Sequence, residues 1–417
     1  MRVLILSNYY YPESVGAGIW VTQLAQDLKV RGHEVTVVTS FPSYPTGELF
    51  DGYRNRFAHR EQIDGIDIIR TFTYATPSKS FWARVAGFGA FCFSAIPGYL
   101  RWRRPVDAVY AILPPLPLGV SAWVIAKASG ARLVLNIQDI YPDIAVALNY
   151  LTNPVAVRFF QRMERWIYRR ADRIVVISEG FRQNLLGKGV EASKLRVVSN
   201  WADPDQIVPS ASDNAFRRET GAASHELLVM YSGGLTHNAE LEPVVNAAAL
   251  LLGLPVRFAI VGDGVQKRSL VDQAVAAGLD NVGFYPFQPI ERYGEVLAAA
   301  DVTLVALNSA ATFASVPSKI YKQMAAARPI IAITNPGNEL SRLIADAQCG
   351  VTVQPGDAER LADLLRQALD QRDAFAEMGR KGRQYLERHC SRKGCVERVE
   401  AVLSEASDRI RIVLAEG

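Results

Sequence analysis

Leu227-Leu228-Val229-Met230-Tyr231-Ser232-Gly233-Gly234-Leu235-Thr236-His237-Asn238 runs from a strongly apolar stretch into a glycine pair and a polar turn. The apolar stretch is continuous rather than alternating. A strand with one wet face alternates; a strand covered on both faces does not, so this one reads as an interior strand of a parallel sheet. The glycine pair lets the backbone turn sharply and come close to a ligand. Outward from this stretch the same unit recurs. In the second half, residues 256–261, 281–285, 302–306, 330–334 and 350–353 are short apolar runs separated by helix-like segments. In the first half the runs are 3–6, 35–39, 66–71, 108–112, 133–137, 174–178 and 195–198. Strand–helix alternation predicts an α/β protein with two doubly wound, Rossmann-like domains.

The first domain is expected over 1–203 and the second over 225–395. Between them, 204–224 contains Pro204, Pro209, Ser210, Ser212 and Gly221 without a long apolar run, and reads as a linker. Residues 383–416 read as helical and charged. The 417 residues are 49% hydrophobic, 21% charged and 9% aromatic, which excludes a disordered, collagen-like or disulfide-scaffold chain. A net charge of +4 is too mild to point to nucleic acid, and none is expected as a partner. Cys92, Cys349, Cys390 and Cys395 lack metal or redox spacing and read as reduced thiols. The N-terminus, Met1-Arg2-Val3-Leu4-Ile5-Leu6-Ser7, reads as a first buried strand rather than a leader, and no transmembrane helix is expected.

Five segments carry chemistry. The loop Tyr9-Tyr10-Tyr11-Pro12-Glu13-Ser14-Val15-Gly16-Ala17-Gly18 precedes a helix whose N-terminal N–H groups favour an anion, with Gly16 and Gly18 allowing close approach. Its counterpart in the second half is Gly233, Gly234, His237 and Asn238. Val261-Gly262-Asp263-Gly264 is a third strand-to-helix turn. Pro317-Ser318-Lys319 opens a helix containing Lys322, so Ser318 and Lys319 form a compact anion site. Asn136-Ile137-Gln138-Asp139 ends a strand, where Asp139 either orients a hydroxyl substrate or caps a helix. Asp203-Pro204-Asp205 matches a metal-binding D-x-D but reads as turn chemistry, and the five histidines show no metal spacing.

Residues 71–106 contain no acidic residue, and their apolar, aromatic core is flanked by arginines. This segment fits either an interfacial element on anionic lipid or a helix packed on the first sheet. A second basic–aromatic stripe, Phe159, Phe160, Met163, Trp166 and Ile167 with Arg158, Arg162, Arg165, Arg169 and Arg170 around it, is expected to pack in the core.

Together these segments resemble the family 4 retaining glycosyltransferases of GT-B fold, and within them the bacterial colanic-acid and O-antigen type, including L-fucosamine transferases. Besides residues 8–18, the resemblance is carried by Arg31-Gly32-His33-Glu34-Val35-Thr36-Val37-Val38-Thr39, Phe41-Pro42-Ser43-Tyr44-Pro45-Thr46-Gly47, Ile177-Ser178-Glu179-Gly180-Phe181, Ser199-Asn200-Trp201-Ala202-Asp203 and Ser315-Val316-Pro317-Ser318-Lys319. It implies two Rossmann-like domains facing across a cleft, with residues 396–417 forming a helix that crosses back to the first. It implies retaining transfer from a nucleotide sugar, expected to be UDP-linked, to a saccharide on polyprenyl diphosphate, in exopolysaccharide or O-antigen synthesis. No metal or other cofactor is expected. The implied place is cytoplasmic, peripheral on the inner face of an anionic membrane.

By the same resemblance Lys319 and Ser318 hold the donor diphosphate, and Glu339 stands near the donor sugar. Pro286 and Phe287 line the base pocket, and Asp139 orients the acceptor. Lys319, Glu339 and Asp139 are therefore the catalytic candidates. The chain also departs from the pattern. Ala314 and Lys322 stand where many relatives carry glutamates. Thr236-His237-Asn238 replaces a basic pair, leaving Lys319 and His237 to substitute, and Asn136 replaces a histidine. These departures keep open a binding scaffold that has lost catalysis. Fold alone also keeps open a nucleotide-sugar epimerase.

Overall fold

The computed structural model describes residues 1–13, 16–44, 46–78, 81–236, 239–308 and 317–415. The chain divides into two units, Met1–Ser199 with Val396–Gly417, and Asn200–Cys395.

The first unit is built on β1 (Arg2–Leu6), β2 (Glu34–Ser40), β3 (Ala58–Ile63), β4 (Ile66–Thr71), β5 (Ala108–Leu113), β6 (Arg132–Ile137), β7 (Arg173–Val176) and β8 (Leu195–Val197). Their order is β3-β4-β2-β1-β5-β6-β7-β8. Val3 lies opposite Val35 on one side and Ala108 on the other. Every pairing is parallel except β3 with β4, a hairpin turned at Asp64-Gly65. The continuous runs of the sequence correspond to the parallel strands. β3 (AHREQI) does not show as an apolar run because it is a polar edge strand with no fully buried residue.

The second unit contains β9 (Leu227–Ser232), β10 (Val256–Val261), β11 (Val282–Tyr285), β12 (Val302–Ala306), β13 (Ile330–Ile333) and β14 (Gly350–Val353), all parallel, in the order β11-β10-β9-β12-β13-β14. Along β9, Leu227, Val229 and Tyr231 join the core beneath helices Glu242–Leu250 and Ala358–Asp370. Leu228 and Met230 point the other way, into a cluster with Phe216 and Val296. Both faces of the strand are dry, which is why its sequence does not alternate.

One sequence reading of chain organisation is corrected. Segment 204–224 is not a bare linker. It carries helix Ala215–Thr220, whose Phe216 is fully buried and whose Arg217 donates to Ala299 O, Ala223 O and Glu226 O and pairs with Asp301 at 3.0 Å. Proline and serine content hid a segment anchored by two side chains. The stretch expected to be helical, residues 383–416, is helical with one break as far as Ala415. Helix Arg372–Tyr385 runs into a π-helical turn, Leu386–Cys390, and stops at Ser391, which bridges to Ala202. A new helix, Arg392–Ala415, follows. From Val396 onward it belongs to the first unit, burying Val396, Val399, Val402, Leu403 and Ala406. Its Glu400 accepts from Arg31 at 2.6 Å and meets His33 at 2.7 Å.

The second basic stripe packs in part: Ile167 is buried and Phe160, Met163 and Trp166 are half-buried, but Phe159 is exposed. Helix Pro154–Arg170 buries Glu164, Ile167 and Tyr168, while Arg158, Phe159, Arg162, Arg165 and Arg169 are exposed. By contrast, helix Phe81–Arg101 buries Phe91, Cys92, Ala95 and Tyr99 and leaves Phe93 83% exposed. Among the described residues no helix is long and apolar enough to cross a membrane.

Candidate functional site

In a doubly wound sheet the strand order reverses at one place, and the loops leaving the carboxyl ends there splay apart to leave a crevice. In the second unit that place lies between β9 and β12. The loop after β9 begins Gly233-Gly234, and the chain leaving β12 leads to helix Lys319–Ala325.

The two meet through Lys319. Its Nζ donates to Tyr231 Oη at 2.8 Å and lies 4.0 Å from the centre of the same ring. Tyr231 Oη in turn donates to Gly234 O at 2.9 Å. A Cβ on Gly233 would fall 2.7 Å from Lys319 Nζ and would push the ammonium aside, and the backbone φ of 147° there is one that L side chains rarely adopt. Enclosure pushes the Lys319 ammonium down to about 7, because a charge removed from water is costly to keep. Lys322, one helical turn on, lies 5.0 Å over the ring of Tyr293 and is lowered by burial as well. Among the described residues neither lysine forms an ion pair with a carboxylate. Two lysines drawn out of water without a carboxylate partner stand at the switch-point crevice, an arrangement whose chemistry suits an anion.

The other glycines have a different task. A Cβ on Gly262 would lie 2.0 Å from Gly233 O, and one on Gly264 2.3 Å from Leu235 O. They let the β10 loop run hard against the β9 loop, so packing alone already excludes a side chain at either position. Pro286 and Phe287 follow β11 at the same carboxyl edge and are exposed. Glu339 opens helix Glu339–Ala347 behind the cap Asn338, and its Oε1 accepts from Arg342 at 3.2 Å. Ser318 is exposed and its hydroxyl makes no capping bond. His237, Asn238, Ala314, Ser315 and Val316 lie outside the described residues. Asp203 accepts from Arg392 at 3.1 Å and from Asp205 N at 3.0 Å, as turn chemistry requires.

In the first unit the reversal lies between β1 and β5. Glu13, 3% exposed, ties the loop after β1 to the loop after β2. Its Oε1 accepts from Ser43 N and Tyr44 N at 3.0 and 2.9 Å, and its Oε2 from Tyr10 N at 3.3 Å. Burial pushes its carboxyl up to about 7, against those three amides and nearby Arg70, which pull it down. The fully buried Arg70 fixes the same loop by donating to Tyr11 O at 2.6 Å. Gly16, at φ 60°, turns the chain into helix Ala17–Val30. A Cβ on Gly18 would strike Glu13 O at 2.4 Å, so Gly18 too serves the loop's own packing. At the end of β6, Asn136 donates to Tyr110 Oη at 2.6 Å and accepts from Gln138. Asp139 follows, half-buried.

Two family models match this chain: the Glycosyl transferase 4-like domain over residues 15–201 and Glycosyl transferases group 1 over residues 212–385. The chain belongs to the family 4 glycosyltransferases. Escherichia coli K12 WcaI, whose name assigns it to glycosyl transfer in colanic acid biosynthesis, is 28% identical over 88% of this chain and 92% of its own. WbjE of Pseudomonas aeruginosa, named as a glycosyltransferase, is 29% identical over 67% of this chain and 69% of its own. Among solved structures, Anabaena HepE in complex with UDP-glucose superposes with a TM-score of 0.72 at 17% identity, covering 97% of this chain and 100% of that one. At that identity the likeness speaks for the fold alone.

In this glycosyltransferase the sequence pointed to Lys319, Gly233 and Gly234, and the structure joins all three. It did not point to Tyr231 or Tyr293, the rings beneath the two lysines. Tyr231 was hidden because it ends an apolar run and reads as core. The one sign of its second role was its place, one residue before the glycine turn. Glu13 does not stand out from its loop by residue type alone. A carboxylate between Pro12 and a glycine turn, in an otherwise apolar stretch, is the signal that could have marked it. Asn8 was missed too: its Oδ1 is buried at the end of β1 without a hydrogen-bond partner among the described residues.

Proposed function

We propose that this glycosyltransferase transfers a sugar, with retention and without a metal ion, from a UDP-linked donor to a saccharide carried on polyprenyl diphosphate. The observation that carries the reading is the Lys319–Tyr231–Gly233 cluster at the switch point of the second sheet. As the bond between the anomeric carbon and the diphosphate oxygen breaks, negative charge gathers on the departing diphosphate and positive charge on the sugar. A pre-placed ammonium beside a glycine turn meets that negative charge without rearranging. The acceptor hydroxyl bonds to the anomeric carbon on the face the diphosphate leaves, and its proton passes to the departing phosphate oxygen. The protein then has to position the partners and exclude water. Lys322 supplies a second cation to the same anion.

The acceptor is assigned to the first unit, where Asn8 Oδ1 offers an unused hydrogen-bond acceptor and Asp139 stands at the carboxyl edge. The relationship to WcaI supports a role in extracellular polysaccharide or O-antigen synthesis. A polyprenyl-linked acceptor places the work at the inner face of the cytoplasmic membrane.

The test begins with thermal shifts against UDP, GDP, ADP and dTDP in the presence of EDTA. A ligand at about 100-fold over its Kd adds about 2.7 kcal/mol of stability. A shift with UDP and glycosyl transfer to a lipid-extracted acceptor, with the anomeric configuration kept, support the reading. Transfer that needs a divalent cation, or no shift with any nucleotide, overturns it.

A further inference from the structure

Helix Pro154–Arg170 wears its charge on the outside without compensation. Val155, Arg158, Phe159, Arg162, Arg165 and Arg169 recur at three- and four-residue steps and are all exposed, with Val155 at 73% and Phe159 at 57%. Among the described residues, none of these four arginines forms an ion pair. The only acid of the helix, Glu164, sits on the opposite, buried face, bound to Lys188 at 2.6 Å. An open groove of about 600 Å³ lies between Arg162, Arg165, Arg169 and Arg170, with Trp166 in its lining. Trp166 packs edge-on to Trp123 at 5.0 Å and carries the Arg170 guanidinium 3.8 Å above its ring, so the groove has a stiff wall.

The surroundings continue the pattern. Helix Pro154–Arg170 packs on helix Leu118–Ser129, which packs on helix Phe81–Arg101. Neither of those two helices contains an acidic residue, and they expose Lys127, Arg101 and Phe93. Like charges crowded on one helix repel and cost stability unless a counter-charge covers them. We propose that the outer face of this three-helix layer docks on an anionic phospholipid bilayer, with Pro154–Arg170 as the main contact. A bilayer supplies both things the face lacks: a sheet of phosphates for the guanidiniums, and an apolar depth for Phe159, Val155 and Phe93. A nucleic acid duplex supplies only the first.

The proposal deepens the membrane part of the function above and rests on that reading only there. Its test uses the full chain with neither donor nor acceptor. Failure of vesicle binding therefore leaves sugar transfer standing, and failure of transfer leaves the docking face standing. Co-sedimentation is measured with vesicles of pure phosphatidylcholine and with vesicles containing about 30% phosphatidylglycerol, a composition giving a surface potential of the cellular kind. The chain is expected to bind the anionic vesicles, to ignore the neutral ones, and to be released at ~1 M salt. Each arginine at such a surface is worth about fivefold, so R158Q/R162Q/R165Q should lower the partition coefficient by about 100-fold. The three side chains are exposed, and an unchanged melting temperature verifies that the variant is folded. Phe159→Ser should weaken binding with the charge intact. Equal binding to neutral vesicles, full binding by the triple variant, or binding to duplex RNA with none to anionic vesicles would each overturn the proposal.

Discussion

Lys319 is held at a pKa of about 7, where its charge is decided by what binds next to it. A diphosphate favours the ammonium and draws a proton onto it. UDP binding at pH 7 should therefore take up about half a proton per site, seen in calorimetry as an enthalpy that changes with the ionisation heat of the buffer. Affinity should fall as pH rises above 7, by up to about tenfold per pH unit, until the pKa of the complex is passed. A buffer-independent enthalpy would remove Lys319 from the anion site. Lys319→Ala should lower turnover by about 100-fold with folding intact, the typical loss of one donor to a charge that grows in the transition state. Glu13 has the opposite chemistry. Its folded pKa of about 7 lies above the ordinary glutamate value of 4.5, so the folded chain holds this proton more tightly than the unfolded one. The stability this gives is complete below about pH 4.5 and is lost as pH rises through 7, roughly 3 kcal/mol in all. Glu13→Gln should flatten that part of the profile, measured as urea midpoints at about pH 4.5 and 7.5. An identical slope in both proteins would assign it to other groups. The sequence showed Lys319 because Pro-Ser-Lys at a helix start is a local pattern. It could not show Tyr231 beneath it, 88 positions away, since only the folded sheet brings them together.

At the scale of elements, the β9 and β10 loops act as one piece because Gly262 lets them touch. Gly262→Ala puts a methyl 2.0 Å from Gly233 O at φ 150°, and neither backbone can yield without moving the other. The expected cost is about 3 kcal/mol, with loss of the UDP thermal shift because Gly233 is displaced from Lys319. Gly278→Ala is the control. It also has a positive φ, 64°, but nothing lies within 4 Å, so it should cost about 1 kcal/mol and leave UDP binding alone. Equal effects from the two would mean that backbone strain, not loop contact, is what matters. The parallel strands were legible because burial on both faces removes alternation, and β9 shows that plainly. Edge strand β3 was not, since AHREQI has one solvated side and no apolar run; the Asp64-Gly65 turn was its only strong local mark. Helix Ala215–Thr220 was masked by neighbouring prolines and serines, and the exposure of Phe159 could not be told from the rest of its stripe by periodicity alone.

At the scale of the molecule, the chain ends in the unit where it began. Val396, Val399, Val402, Leu403 and Ala406 complete the first unit's core, and Glu400 and Glu405 pair with Arg31 and Arg196 at 2.6 and 2.7 Å. Burying five aliphatic side chains at roughly 1 to 2 kcal/mol each outweighs the exposed ion pairs, which add little. Removing residues after Cys395 should therefore strip the first unit of several kcal/mol while leaving the second unit, Asn200–Cys395, with its own sheet and core intact. Hydrogen exchange on the truncated chain should show faster exchange across β1, β2 and β7, and unchanged protection across β9, β10 and β12. Because the diphosphate site is assigned to the second unit, the truncated chain should keep its UDP-induced thermal shift while losing glycosyl transfer, which also needs the acceptor side. Loss of protection spread equally over both sheets would show that the last helix supports the molecule as a whole and not the first unit. Loss of the UDP shift would move part of the donor site out of the second unit.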